Sequence, residues 1–323
     1  IRYTGDYSNI SSGKWESTAL NELSSKPVSS SAANTRGNSA IRDFLLDFDE
    51  NKNIDVIFPV LHGSNGEDGT MQGFLELAGI PYVGCGVLSS AVGMDKATSK
   101  ILFESAGIPQ AKYLLVIRSE INVNILHIQK LTEEKIGFPC FVKPSNAGSS
   151  VGVSKVNDSE ELLEALLNAG KYDRRILIEE FINGREVECA VLGNDSPVAS
   201  TVGEVVPCNE FYDYKAKYID NASEIIIPAQ LEDKTVQLIR KYAVEAFKLL
   251  DCSGLARVDF FVEKNTGSVY INEINTMPGF TDISMYPKLW EACGIPYCEL
   301  LDRLIDFAFM RFNETRRSYE REL

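Results

Sequence analysis

Three oxygen-bearing side chains near the C-terminus, with an arginine beside them, have the types and spacing to hold a metal ion and a phosphate. Asp259 lies in one alternating run of β-branched and aromatic residues, and Glu273 and Asn275 lie in a second run after an Asn-Thr-Gly turn. In paired strands these side chains can share one face, with Arg257 two residues from Asp259 on the same side. Two carboxylates and an amide oxygen suit Mg²⁺, and arginine suits an oxyanion or a transferring phosphate. The cluster predicts an ATP-using enzyme; a charged solvent face on an ordinary hairpin is the alternative.

A lysine at the end of a predicted strand opens a loop of small residues that suits a phosphate. Lys143 precedes residues 144–152, which are rich in Gly and Ser. Small side chains let backbone N–H groups approach phosphate oxygens, and the lysine adds a point charge. The loop is not a Walker A sequence, because no Gly-Lys-Ser/Thr closes it and a strand is expected to follow. A surface turn is the alternative, but Lys96, a second lysine at an element boundary, favours a phosphate site.

Residues 176–182 have a pattern suited to the base of a nucleotide. The run passes from apolar residues into Glu179 and Glu180. A strand that leads into exposed backbone can hold adenine, and Glu186 can then accept the ribose hydroxyls. An edge strand with solvated acids is the alternative.

Residues 211–218 are aromatic and basic in a region too polar for a core. We interpret them as a mobile lid that carries Lys217 towards a phosphate. Stacking on nucleic acid is the other interpretation, and the acidity of the chain opposes it.

Two loops can position the reacting groups. After the predicted metal strand, the Gly279 N–H can serve an oxyanion and Ser284 can hold a carboxylate. His62 lies between a predicted buried strand and a Gly-rich loop. Because ligands bind at strand-end loops of open α/β sheets, we favour a functional His62 over a structural histidine.

The bulk composition narrows the class of protein. With 323 residues, 44% hydrophobic residues and a net charge of −14, we expect two or three domains of an enzyme that binds neither nucleic acid nor membrane. No apolar run approaches the ~18 residues of a membrane span. The seven cysteines are odd in number and lack zinc spacing, and most lie in apolar strings. Together with the lack of a visible signal peptide, this predicts reduced thiols in a cytoplasmic protein.

The elements that position these residues begin as an α/β pattern. We expect loops of low order in residues 1–40, a buried parallel strand at 55–61, a helix that ends at Gly79, a strand at 80–84 and a helix at 99–106. Strand, helix and strand at this spacing are typical of an α/β lobe.

Beyond Tyr113 the pattern becomes α+β. It predicts one helix and four strands in the middle of the chain: a helix near 158–168 and strands at 113–117, 138–143, 151–156 and 176–181. The remaining elements are strands within 186–206 and at 224–227, a helix at 231–250, the metal hairpin and a helix at 297–312.

Taken together, these segments resemble the ATP-grasp superfamily, and closely the D-alanine–D-alanine ligase family. Six motifs occur in the family's order and cover nearly everything from 55 to 310: residues 61–73, 93–96, 143–152, 179–186, 211–218 and 257–285. An ordered set of this kind is far more specific than any single Gly-rich loop.

The resemblance implies a three-lobed ATP-grasp fold, α/β and α+β, with lobes at 1–93, 94–183 and 184–323 and the nucleotide cleft between the last two. The family is usually dimeric, so we expect a homodimer. The family's N-terminal strand, with a Gly-Gly turn and a Glu that contacts the first D-alanine, does not precede Ile1. We expect those residues to be missing from this sequence; a truncated, inactive relative is the alternative.

The resemblance also implies roles for individual residues. The ATP set comprises Lys96, Lys143, Ser149, Ser150, Val151, Glu179, Glu180, Ile182, Glu186, Lys217 and Phe261. Two Mg²⁺ ions, or Mn²⁺, are held by Asp259, Glu273 and Asn275. The amino-acid site is formed by His62, Ser149, Tyr212, Tyr218, Ser284 and Met285, with Arg257 and the Gly279 N–H at the oxyanion.

The implied reaction joins two D-alanines through an acyl phosphate, for peptidoglycan synthesis. D-Alanine is favoured as second substrate, because relatives that use D-lactate tend to have His where Tyr218 stands, and Met285 offers no strong partner to a serine hydroxyl. A D-alanine–D-serine or D-lactate ligase and a nucleotide-binding module without ligase chemistry are the alternatives.

Overall fold

The computed structural model describes residues 54–148, 150–206, 224–281 and 283–315, with the backbone of a short antiparallel pair, β1 (Arg2–Tyr3) and β2 (Trp15–Glu16). Most of residues 1–40 and the whole predicted lid at 211–218 lie outside the described residues. So do four predicted site residues: Ser149, Tyr212, Lys217 and Tyr218.

Three helices come first in the described chain after residue 54: α1 (Thr70–Ala78), α2 (Val87–Met94) and α3 (Lys96–Ser105). Helix α1 ends where predicted, because Gly79 takes a left-handed conformation (φ 66°) and its N–H bonds the last carbonyls of the helix. Asp95 caps the N-terminus of helix α3, because its carboxylate accepts the Thr98 N–H at 2.9 Å. This cap places Lys96 in the first turn of α3.

The smaller sheet has four antiparallel strands in the order β3-β6-β4-β5. Its strands are β3 (Tyr113–Ile117), β4 (Cys140–Pro144), β5 (Ser154–Val156) and β6 (Arg175–Glu180). Helices α4 (Ile121–Lys135) and α5 (Leu162–Ala169) pack on one face, where Val142 and Ile178 are fully buried. The opposite face carries Lys143 and Glu179.

The larger sheet has five antiparallel strands in the order β11-β10-β7-β8-β9. Its strands are β7 (Gly184–Gly193), β8 (Val198–Val206), β9 (Glu224–Ile226), β10 (Gly254–Glu263) and β11 (Val269–Asn275). Helix α6 (Asp233–Leu249) shares one buried cluster with this sheet. Helices α7 (Met285–Ala292) and α8 (Tyr297–Thr315) share another.

Three expectations about elements were wrong. Residues 55–61 form no strand in the described chain but a single parallel bridge between Ile57 and Tyr82, and beyond Pro59 the side chains of Val60 and Leu61 are exposed. Pro59 lacks the N–H that a continued ladder requires. The strand predicted at 80–84 is likewise reduced to this one bridge at Tyr82.

The strand predicted at 151–156 starts only at Ser154, because Ser150 and Gly152 adopt positive φ (59° and 74°) and form a turn. The helix expected near 158–168 is α5, but it is not the only helix of this region, because α4 precedes it. Helices α2, α4 and α7 were not predicted.

Candidate active site

The predicted metal side chains share one face of the larger sheet. Asp259 on β10 lies opposite Glu273 on β11, and Arg257 lies opposite Asn275. The intervening Val258 is fully buried on the other face, which packs against α6. The alternation of buried and half-buried residues along β10 therefore fixes the side of the sheet on which Arg257 and Asp259 lie. We call Arg257, Asp259, Glu273 and Asn275 the acidic row.

Arg257 is the cation at the centre of this row. Its Nε and Nη2 atoms each donate to one oxygen of Asp259 at 2.7 Å, and Nε also lies 2.8 Å from Glu188 on β7. Asn275 donates to the same Asp259 carboxylate at 2.9 Å. Burial lowers the pKa of Arg257, but Asp259 and Glu188 outweigh it and hold that pKa well above its usual range. Arg257 is therefore permanently charged and fixed in orientation.

Lys96 connects the acidic row to the Gly/Ser loop. Its Nζ lies 3.1 Å from Glu273 and donates to the Ala147 carbonyl at 3.0 Å. Burial lowers the pKa of Lys96, but Glu273, Glu179 and Glu67 together raise it above its usual value. Lys96 of α3 thus contacts both β11 of the larger sheet and the loop after β4.

The second predicted phosphate lysine is buried against an acid on the neighbouring strand. Lys143 on β4 forms an ion pair with Glu179 on β6, whose other oxygen lies 3.0 Å from Lys100 of α3. Burial raises the pKa of Glu179, but Lys100 and Lys143 lower it below its usual value. Because β6 lies between β3 and β4, the alternative of an edge strand with solvated acids is wrong for Glu179.

The remaining predicted ATP residues lie around the junction between the two sheets. Glu180 ends β6 with its carboxylate 3.8 Å from Lys112, and Ile182 is half-buried in the link to β7. Glu186 on β7 lies opposite Phe261 on β10. In the Gly/Ser loop, Ser150 is half-buried and Val151 is exposed.

The His62 loop reaches the loop that follows β11. His62 Nδ1 lies 3.2 Å from the carbonyl oxygen of Met277. Within the His62 loop, Glu67 is buried and accepts the Gly63 N–H at 2.5 Å. Burial, with a smaller effect of Glu273, raises the pKa of Glu67 to about 7, although the Gly63 N–H opposes the shift. A carboxyl group with a pKa near neutral pH thus lies beside the acidic row.

The tight path of this loop depends on Gly66. A Cβ at this position would collide with the Leu61 carbonyl group, whose carbon would be 2.7 Å away. Because the collision is with backbone, we expect Gly66→Ala to lower the free energy of unfolding by about 1–3 kcal/mol. The matched control is Gly73→Ala in α1, where a Cβ meets nothing within 4 Å and the substitution should stabilise by up to about 1 kcal/mol. Urea denaturation of both variants measures the difference, and equal effects would contradict it.

The predicted oxyanion and carboxylate groups lie side by side in the loop before α7. The Ser284 hydroxyl accepts the Thr281 N–H at 3.0 Å, and a Cβ at Gly279 would lie 2.8 Å from that hydroxyl. A side chain at position 279 would therefore displace the Ser284 hydroxyl from this arrangement. Met285 is buried in the core with α7 and α8 rather than open to solvent.

Three residues of this region were not among the predicted site residues: Glu67, Lys100 and Glu188. Two of them had a signal in the sequence. Lys100 follows Lys96 by four residues and so shares its helix face, and Glu188 follows Glu186 by two residues and so shares its strand face. Glu67 had only its place in a Gly-rich loop.

The geometry defines a mixed α/β protein in which lysines of helix α3 and the smaller antiparallel sheet lie near an acidic, arginine-containing row on the larger antiparallel sheet. Such a site is suited to a polyphosphate and its divalent cation. In the described ranges no helix is long and apolar enough to cross a membrane.

Comparison with known proteins gives the family. The D-ala D-ala ligase N-terminus matches residues 2–85 and the D-ala D-ala ligase C-terminus matches residues 102–306. D-Alanine–D-alanine ligases of Acetivibrio thermocellus and Ruminiclostridium cellulolyticum are 61% and 59% identical over 99% and 100% of this chain, and over 86% and 87% of their own lengths. The chain belongs to the D-alanine–D-alanine ligase family, as the resemblance predicted.

Solved structures agree with this assignment. The D-alanine–D-alanine ligase from Coxiella burnetii is similar with a TM-score of 0.70 and 41% identity, covering 80% of this chain and 70% of that one. The VanG D-Ala:D-Ser ligase from Enterococcus faecalis is similar with a TM-score of 0.72 and 42% identity, covering 79% and 73%.

Proposed function

We propose that this protein joins two D-alanine molecules into D-alanyl-D-alanine with the use of ATP, as a precursor for peptidoglycan. The observation that carries the proposal is the meeting of Lys96 with Glu273 at 3.1 Å, which sets a phosphate-type lysine against an acid suited to a metal. High identity to curated D-alanine–D-alanine ligases over the whole chain supports the same reaction.

The reaction needs an activated carboxylate, because a free carboxylate is a weak electrophile. The carboxylate of the first D-alanine attacks the γ-phosphorus of ATP, and ADP leaves from the resulting acyl phosphate. The amine of the second D-alanine then attacks the acyl carbon and phosphate departs. Lys96, Lys143 and, from the lid, Lys217 neutralise phosphate charge, which is where most phosphoryl-transfer catalysis lies.

Asp259, Glu273 and Asn275 would hold the divalent cation, which neutralises charge on the phosphates when bound. The donor set fits Mg²⁺, since it offers two carboxylates and an amide oxygen on one sheet face. In the described part of the chain no group of three or more Asp, Glu, His or Cys side chains forms a metal site. A set of only three protein donors leaves room for nucleotide phosphates, and we propose two ions.

The amino-acid end of the site is proposed around the two loops that meet at His62 and Met277. The amino-acid site is lined by His62, Ser149, Tyr212, Tyr218 and Met285. Arg257 and the Gly279 N–H stabilise the tetrahedral oxyanion, and Ser284 binds the carboxylate of the second D-alanine.

The base and ribose of ATP are proposed at the junction of the sheets. The backbone at Glu180 and Ile182 holds adenine beside Glu179 and Phe261, and Glu186 binds the ribose. Ser150 and Val151 close over the phosphates. The corresponding three-lobed ATP-grasp architecture has boundaries at 93/94 and 183/184; the homodimer and the cytoplasmic location stay predictions.

The second candidate function is ligation of D-alanine to D-serine, which the similarity to a D-Ala:D-Ser ligase favours. The presence of Met at position 285 argues for D-alanine, because a thioether is a weak acceptor for a serine hydroxyl. A relative that binds nucleotide without ligase chemistry is the remaining alternative.

The test is ADP release by the purified protein with MgATP and each of D-alanine, D-serine and D-lactate as acceptor. We expect release that depends on D-alanine, with D-alanyl-D-alanine as the product identified by mass spectrometry. A preference for D-serine would replace the proposal with the second candidate. ATP binding without release that depends on D-alanine would contradict both.

A further inference from the structure

Lys100 is a lysine with no access to solvent and no role in the reaction described above. Its side chain is 1% exposed, and it lies on α3 one turn after Lys96. An ammonium group is costly to bury unless a counter-ion and hydrogen-bond acceptors are provided. Its position therefore needs a physical explanation.

The explanation lies in the carboxylate that Lys100 shares with Lys143. Glu179 Oε1 lies 3.0 Å from Lys100 Nζ, and Glu179 Oε2 contacts Lys143 Nζ. Glu179 is itself 6% exposed, so the three groups form a buried row of one negative and two positive charges. Burial lowers the pKa of Lys100, and Lys143 lowers it further, while Glu179 opposes both effects.

The position of Lys100 is fixed from other sides as well. The Gln110 side chain donates to the Lys100 backbone carbonyl at 2.8 Å. The ammonium lies 5.4 Å from the centre of the Tyr113 ring on β3, within the range of a cation–π interaction. Lys100 thus joins helix α3 to two strands of the smaller sheet.

This row controls how much positive charge Lys143 can offer. A lysine paired alone with one carboxylate forms a neutral pair that attracts an anion weakly. With Lys100 on the other oxygen, the three groups carry a net charge of +1, because the single negative charge of Glu179 is shared between two ammonium groups. A polyphosphate at the cleft then meets a Lys143 ammonium whose charge is only partly compensated.

We infer that Lys100 is a positioning residue for the nucleotide, which acts through Glu179 to keep Lys143 available to the phosphates of ATP. The inference rests on the proposed function and deepens it. Lys100 itself does not touch the nucleotide, because its ammonium is enclosed behind Glu179. A role in stability alone is the competing explanation, since Lys100 also compensates a buried carboxylate.

The test is the affinity for MgATP of the full chain without D-alanine, measured by calorimetry, together with KM and kcat. In Lys100→Met we expect the Kd and the KM for ATP to rise about tenfold, with the KM for D-alanine within twofold of the unsubstituted protein. In the Glu179→Gln background the same substitution should change the Kd by less than about twofold, because the group through which it acts is gone. Lys130→Met, an exposed lysine of α4, is the matched control and should change neither value.

Lys100→Gln provides a second variant should Lys100→Met not fold, because its amide can still hydrogen-bond Glu179 without a charge. It should show the same rise in Kd. A lower melting temperature with an unchanged Kd for ATP would overturn the inference in favour of stability alone. An equal rise in the Glu179→Gln background would also overturn it. Failure of the proposed function would appear differently, as a lack of D-alanine-dependent turnover in the unsubstituted protein.

Discussion

Glu273→Gln is expected to lower D-alanine-dependent ADP release by about a thousandfold or more, with the fold intact. Glutamine has the same shape as glutamate but lacks the charge that a divalent cation requires. The side chain is 24% exposed on the open face of β11, so the core beneath it is not disturbed. Release of ADP under saturating MgATP and D-alanine, with circular dichroism for the fold, measures both parts of the prediction.

Glu291→Gln, an exposed glutamate of α7, is the matched control and should keep full activity. A second readout is Mg²⁺-dependent thermal stabilisation by ATP, which should be weaker in Glu273→Gln and unchanged in Glu291→Gln. Activity of Glu273→Gln within tenfold of the unsubstituted protein would remove the acidic row from the proposed site.

Much of the fold follows from local patterns. The strand predicted at 113–117 is β3, and the hairpin of β10 and β11 has Asp259 opposite Glu273 as the two-residue periodicity requires. Helix α4 was not predicted because its Ile, Val and Asn residues have modest helix propensity. A non-helical Asn124 (φ −122°, ψ 17°) also interrupts its periodicity.

The site was predictable in part for the same reason. Side chains two apart on one strand share a face whatever the rest of the fold does, so Arg257 and Asp259 could be paired from sequence. Glu188 comes into the same row only because β7 lies beside β10, and strand order depends on contacts distant in the chain. The burial of Lys100 likewise depends on how α3 packs against β6, and a sequence rich in polar residues around Lys100 gives no sign of it.

Two substitutions of Arg257 are expected to distinguish its effect on catalysis from its effect on stability. Arg257→Ala removes the shared counter-ion of Asp259 and Glu188, two carboxylates within 2.8 Å of it, and should lower the free energy of unfolding by about 3–5 kcal/mol. Arg257→Lys keeps the charge but loses the two-pronged contact. We expect it to fold and to lower kcat by about a hundredfold, since one ammonium cannot replace a guanidinium in the proposed role at the oxyanion.

Arg303 of α8 provides the matched control, because its Nε and Nη2 atoms also both bond a glutamate, Glu299, but at the surface. Arg303→Ala should cost less than about 1 kcal/mol, since exposed ion pairs are screened by water and salt. Urea denaturation of the two alanine variants compares the stabilities, and steady-state kinetics of Arg257→Lys measures the catalytic part. Similar losses of stability in the two alanine variants would show that burial of the Arg257 pair does not matter. An unchanged kcat in Arg257→Lys would show that only the positive charge at this position matters for catalysis. The proposed oxyanion would then need another hydrogen-bond donor.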